Sequence, residues 1–180
     1  MSHLFSDNIS PADSEKIGPR ISGFTQKQKK YMKNTWDEFV FKNLTAIGAE
    51  AMMSVFENNN DIKEMFPAFK KIPIDQLKHN EKFNAHCKMI MNVLNKALNA
   101  FFDDNDELFE KIVKIIGERH AMWAKNPIII KQFQCVQVPL IDSLKIRLES
   151  QWTEETANLW TYAVEKVFRA MIVPMKEVFL

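Results

Sequence analysis

Residues 76–120, QLKHNEKFNAHCKMIMNVLNKALNAFFDDNDELFEKIVKIIGERH, decide the fold. In the first half Phe83, His86, Ile90, Val93 and Ala97 recur at intervals of three, four, three and four, so they share one face of a helix predicted from about Gln76 to Ala100. Asp103-Asp104-Asn105-Asp106 supplies turn and capping chemistry, and Phe109, Ile112, Val113, Ile116 and His120 then make a second inward stripe. Two consecutive helices thus each carry one histidine on the apolar face, 34 positions apart.

Upstream, residues 1–23 are rich in Ser, Asp, Pro and Gly without apolar period and bury too little to offset ordering entropy, which predicts a flexible extension over 1–24 and a single domain over 25–180. Thr25-Gln26-Lys27-Gln28 has capping-box spacing and should open a helix running from about Gln26 to Phe41 with Trp36 inward. Ile47, Ala51, Met52, Val55 and Phe56 share one face of a second helix, which Asn58-Asn59-Asn60 ends. Pro67 turns Met65-Phe66-Pro67-Ala68-Phe69 into an irregular corner bearing two aromatic rings. Downstream, Pro127 suits the first turn of a helix continuing through Ile130, Phe133, Val136, Leu140 and Leu144. Thr153, with Glu154 and Glu155 behind it, caps a last helix that turns Leu159, Trp160, Ala163, Val167 and Met171 inward.

Long helices, 46% hydrophobic residues and only 4 Gly among 180 residues predict an all-α domain. The 24 basic and 23 acidic residues are intermixed, which disfavours nucleic acid or an anionic membrane as partner. Neither an amino-terminal signal nor an apolar run of about 18 residues is visible, so a water-soluble protein is expected. Cys87 and Cys135 provide no disulfide scaffold and no zinc set; both read as small buried thiols in a reducing, cytoplasmic setting, with Cys87 turned away from the His86 stripe. Met52, Met89 and Met91 read as core filling in preference to an axial ligand.

Either histidine alone is compatible with an ordinary hydrogen-bonded core residue. As a pair on adjoining helices they can also bracket a flat macrocycle whose faces need the Phe, Ile, Val and Met walls present here. His79, two turns before His86 on the expected helix, is too far along it to share one ion with His86. With no suitably spaced cysteine and carboxylate group to complete a tetrahedral zinc set, a planar cofactor is favoured over a bare ion.

Trp36 in Met32-Lys33-Asn34-Thr35-Trp36, Gly48-Ala49-Glu50-Ala51, the 65–69 corner, Phe83-Asn84-Ala85-His86 and Gly117-Glu118-Arg119-His120 together resemble globin motifs in globin order, over about Thr25 to Val178. The resemblance implies a globin fold, a three-over-three helical sandwich enclosing a haem, with haem b (iron protoporphyrin IX) as cofactor. It makes His120 the proximal iron ligand and His86 the distal histidine and a candidate sixth ligand. Ile90 becomes the aliphatic residue over the iron, Met52 the ligand-facing residue of the second helix, and Phe66 the corner ring beside the porphyrin with Phe69 beneath it. Ile130 and Phe133 are placed near the cofactor only by their distance from His120, and core packing fits them equally well.

A ligating histidine donates its second N–H to an oxygen, and the carbonyl of Ile116, four residues back, is in reach. Arg119 offers no acceptor; it reaches either a propionate or solvent. Asn60 and Met89 depart from the proline and the basic residue common at those places. The interval between the histidines, a few residues longer than in haemoglobin chains, makes the sequence similar to neuroglobin and cytoglobin, or to invertebrate globins, more than to muscle myoglobin.

The function implied is reversible binding of oxygen or another diatomic gas for storage, transport or sensing, with His86 able to coordinate the iron. The alternative is a bis-histidyl six-coordinate globin in redox or electron transfer, with a redox partner and nitric oxide or peroxide chemistry. Either is a gas-binding or redox protein more than a dedicated enzyme, and an oligomer is compatible with both. A haem-free interaction module is a third class, against which the retained His120 argues.

Overall fold

The computed structural model describes residues 23–180, and the extension expected before them lies, up to residue 22, outside the described residues. Thr25 opens α1 (Gln26–Thr35) with a reciprocal cap: its Oγ1 accepts from the Gln28 N–H at 3.3 Å, and Gln28 Oε1 accepts from the Thr25 N–H at 2.8 Å. The helix continues through a π-helical segment, Trp36–Val40, and a 3-10 turn, Phe41–Asn43. Trp36 is fully buried against Trp160 and donates its indole N–H to Asn95 at 2.8 Å, which satisfies the one polar atom it carries inward. Phe24 already belongs to this packing, its ring 5.1 Å from Phe101 and 5.2 Å from Tyr162.

The chain proceeds through α2 (Leu44–Asn58), α3 (Asn60–Glu64), α4 (Ile74–Leu77), α5 (Glu81–Phe102), α6 (Asp106–Ala124), α7 (Ile129–Gln134), α8 (Gln137–Leu148) and α9 (Glu154–Val178), with no strand among the described residues. α1, α5 and α6 form one layer and α2, α8 and α9 the other; α6 packs on α9, and α2 on both α5 and α8. This is the all-α architecture that the periodicities predict, in the three-over-three layering that the resemblance implies.

Two glycines set how closely the layers approach. A Cβ on Gly48 of α2 would lie 2.7 Å from Met91 Cγ and 2.9 Å from the Cys87 carbonyl oxygen on α5. At Gly117 of α6 a Cβ would collide with the Met171 carbonyl and stand 2.6 Å from Pro174 Cγ on α9. Pro174 is buried inside α9, which continues past it to Val178, and its ring occupies the space left by the missing side chain of Gly117.

The structure corrects several sequence readings: Met89, read as core filling, is exposed, and of the expected inward stripe His86, Ile90 and Val93 are only half-buried, the deepest line of α5 running through Cys87, Met91 and Leu94. The helix expected from Gln76 begins instead at Glu81, because Asn80 stops the short α4 turn and caps α5, its side-chain oxygen accepting from the Phe83 N–H at 3.0 Å. His79 therefore lies before α5, exposed, and not two turns below His86 on one helix. The helix expected after Pro127 is two: Pro139 has no N–H to give the Cys135 carbonyl, and the chain breaks at Cys135 and Val136 between α7 and α8. Cys135 sits at that break half-buried, whereas Cys87 is fully buried and packs toward α2.

The interval between the two histidines is taken up by helix. Only Asp103–Asn105 separate α5 from α6, and Asp104 adopts φ +54°. This turn is held to α1: Lys29 and Gln26 both bond the Asp104 carboxylate, and Lys33 reaches Asp103 at 2.6 Å. The Lys29 ammonium first, and Gln26 second, hold the Asp104 carboxyl below its usual range.

Candidate functional site

The inward stripes of α5 and α6 bring His86 and His120 to one region. His120 lies on the last turn but one of α6, and its Nδ1 is 2.8 Å from the Ile116 carbonyl oxygen. A carbonyl only accepts, so Nδ1 carries the proton and Nε2 keeps a lone pair. Phe133 of α7 sets its ring edge-on to this imidazole at 5.0 Å and reaches Phe168 of α9 at 5.1 Å, fixing the ring from the far side.

His86 is held by the corner after α3. Phe66 meets it edge-on at 5.2 Å and Phe69 lies at 6.1 Å, while the two phenylalanines stack on each other at 5.0 Å and 18°. Phe56 of α2 and Phe83 of α5 close the same aromatic group. Met52 is buried in it, and Ile90, one turn beyond His86, packs against it.

Burial holds the His86 imidazole below its ordinary value, and the nearby His120 lowers it further; burial lowers His120 as well, opposed by the bond to Ile116. Both rings are therefore neutral at pH 7, the form in which imidazole is a metal ligand.

Of the residues singled out from sequence, Met52, Phe66, Phe69, His86 and Ile90 gather on one side, and His120, the Ile116 carbonyl and Phe133 on the other. Ile130 stands one step away, packed with Ala121, Ile172 and Met175 in a cluster that shares Phe133. The Ile116 side chain joins the main core, so its carbonyl is what it gives to the site.

Trp123 escaped the sequence reading. One turn past His120, it is 52% exposed, yet its ring lies 5.9 Å from Phe66, so it joins the end of α6 to the corner beside His86. Its position three residues after His120 was the available signal, but that spacing alone does not reveal which ring of another element it meets.

Among the described residues no three or more His, Cys, Asp or Glu side chains converge on a metal position, so a bare ion lacks its ligands. A planar group offering large apolar faces and one metal to imidazole fits the donors present: two neutral nitrogens with aromatic and aliphatic walls.

A family model described as Globin matches residues 49–171. Anaerobic nitrite reductase HBI of Casuarina glauca is 23% identical over 154 residues, which span 85% of this chain and 98% of that protein. Myoglobin of Heterodontus portusjacksoni is 28% identical over 88 residues, 49% of this chain and 58% of that one. Among solved structures, a hexacoordinated heme protein from an anhydrobiotic tardigrade superposes with a TM-score of 0.78 at 21% identity, covering 85% of this chain and 96% of that chain. Drosophila melanogaster globin superposes with a TM-score of 0.73 at 22% identity, covering 83% and 94%. The structural likeness speaks for the fold; the family model, which spans more than half of the sequence including His86 and His120, establishes that this chain belongs to the globin family.

Proposed function

We propose that the protein is a haem-binding globin that reversibly binds oxygen or another diatomic gas, with His120 as proximal ligand and His86 competing for the opposite position. The observation that carries this reading is the pair of half-buried imidazoles contributed by α5 and α6, His86 set against the Phe66 ring and His120 against the Phe133 ring, near enough for one to lower the pKa of the other. Bound haem supplies the iron that holds a gas or exchanges an electron. Haem b fits because the sequence lacks the paired-cysteine attachment signature of c-type haem.

The Ile116 carbonyl fixes the His120 ring and its tautomer, and Phe133 limits its rotation. Phe66, Phe69, Met52 and Ile90 exclude water from the opposite side, where His86 is the only polar side chain of this group. A gas competes with His86 for one place, so apparent affinity falls by the fraction of protein in which His86 is withdrawn. The free thiols at Cys87 and Cys135 suit a reducing, cytoplasmic compartment, and no helix among the described residues is long and apolar enough to cross a membrane.

A second reading, bis-histidyl redox or nitrite and nitric oxide chemistry, is favoured by relatives named anaerobic nitrite reductase and by the hexacoordinated heme protein among the similar structures. Absorbance of the ferrous protein before and after carbon monoxide separates the coordination states. A sharp, split visible band without added gas is expected from two histidine ligands. His86→Leu should replace it with one broad band and quicken carbon monoxide binding; an unchanged spectrum would remove His86 from the iron.

Trp123 is expected to slow escape of the cofactor by bridging from the end of α6 to Phe66 beside His86. Trp123→Ala should speed haem transfer to an excess of an apo-globin acceptor several-fold, on the order of the ~1 kcal/mol that an aromatic contact contributes. Trp123→Phe should recover most of the loss, and equal rates for all three proteins would assign Trp123 no such role.

A further inference from the structure

The outer face of α6 carries three exposed apolar residues at a period of seven: Leu108 (44% exposed), Ile115 (37%) and Met122 (56%). At 100° per residue each lies within about 20° of the one before it, so they form one nearly straight stripe along the helix. The stripe faces away from the buried side, where Phe109, Val113, Gly117 and Ala121 meet the rest of the fold. Leu108 and Met122 are equally distant from Ile115 in sequence.

That symmetry specifies a partner. We infer that the α6 stripe pairs with the same stripe of a second copy of this chain, antiparallel, about a two-fold axis at Ile115. Such an axis sets Ile115 against its own copy and each Leu108 against Met122 of the other chain, which is the self-complementarity that a two-fold interface requires.

The flanking charges select the antiparallel sense. Lys111 and Glu118 border the same edge of the stripe, three to four residues on either side of Ile115. In the antiparallel pair Lys111 comes level with Glu118 of the second copy and Glu118 with its Lys111, so two ion pairs bracket the central isoleucines. In a parallel two-fold pair the same edge would lie on opposite sides of the two helices, so Lys111 and Glu118 would meet neither of their copies and form no such ion pairs. Within one chain Glu118 has only a loose contact with Lys114, 3.9 Å away, whose side chain is 67% exposed, so little is lost when it turns to the second copy. The ends agree as well: Glu107 in the first turn of α6 and Lys125 at its C-cap lie toward that same edge, and each comes near the other residue of the second copy. Since α6 also bears His120, the pairing joins the two candidate sites through the helices that carry them, although it does not depend on what those sites bind.

Sedimentation of the full chain over about 1 µM to 1 mM tests this. The mass should rise from 21.0 kDa toward twice that value. Ile115→Lys, which sets two like charges on the axis, should hold it at 21.0 kDa with helical circular dichroism unchanged. Lys111→Glu and Glu118→Lys should each weaken dimerisation about 5-fold or more, and their combination should restore it. A wild-type monomer throughout the range overturns the inference. So does a dimer untouched by Ile115→Lys, or, should that variant not fold, a charge exchange that fails to restore what its single changes lost.

Discussion

His120→Ala is expected to fold and to lose its hold on haem: the purified protein should carry little pigment, and its affinity for added haem should fall by at least the ~100-fold that can follow loss of a mere supporting partner of a metal ligand. The side chain is half-buried between Phe133 and the Ile116 carbonyl, and its removal strands no polar group, since that carbonyl remains the helical acceptor of the position-120 amide. Helical circular dichroism of the haem-free protein should therefore stay near wild type while the haem-to-protein ratio collapses. Free imidazole, which fits the space left, should restore binding in part, a result that packing alone would not produce. A His120→Ala protein that keeps its pigment with unaltered iron coordination would end the proximal assignment and with it the reading of the whole site.

Gly117→Ala should have the largest effect on stability. In an exposed helix this exchange stabilises by roughly 1 kcal/mol, because glycine gives up more chain freedom on folding. Here the sign reverses. The new Cβ would run into the Met171 carbonyl and the Pro174 ring, one of them backbone and the other held by its own helix, so neither can swing aside as a flexible side chain would. To relieve the contact α6 must move away from α9, at a cost of about 2–3 kcal/mol, or a fall in Tm of roughly 4–12 °C for a domain of this size. His120 and Ala121 follow on the same helix, so the shift also disturbs the proximal ring. Gly48→Ala, whose Cβ would meet the flexible end of Met91 and one carbonyl of α5, should cost less. Urea unfolding of the three proteins orders these effects, and a Gly117→Ala protein as stable as wild type would mean that the α6–α9 approach is looser than it stands.

Much of the fold is legible because burial imposes periodicity. The 3.6-residue repeat of Phe109, Val113 and their neighbours marks the inward side of α6, and Thr25 and Thr153 announce helix starts through hydroxyls that accept from free amides. His120 is legible for the same reason, and its bond to Ile116 follows from helix geometry alone. Local competition is harder to read. Asn80 could have continued the helix from Gln76 but caps the next one, and Pro139 breaks a run whose apolar pattern continues through it, since a missing N–H leaves no mark on hydrophobic spacing.

By itself, then, the sequence determined which face of α6 goes inward, while on α5 it found a stripe whose His86, Ile90 and Val93 are only half-buried beside the deeper Cys87, Met91 and Leu94, because periodicity depends on neighbours within one or two turns. Tertiary structure alone decided that Cys87 is fully buried while its neighbour His86 is only half-buried, that Trp123 reaches Phe66, and that Pro174 fills the space beside Gly117. Each of these joins residues of different elements, and a helix repeat records the angle of a side chain about its own axis, not which helix stands opposite or how near it comes.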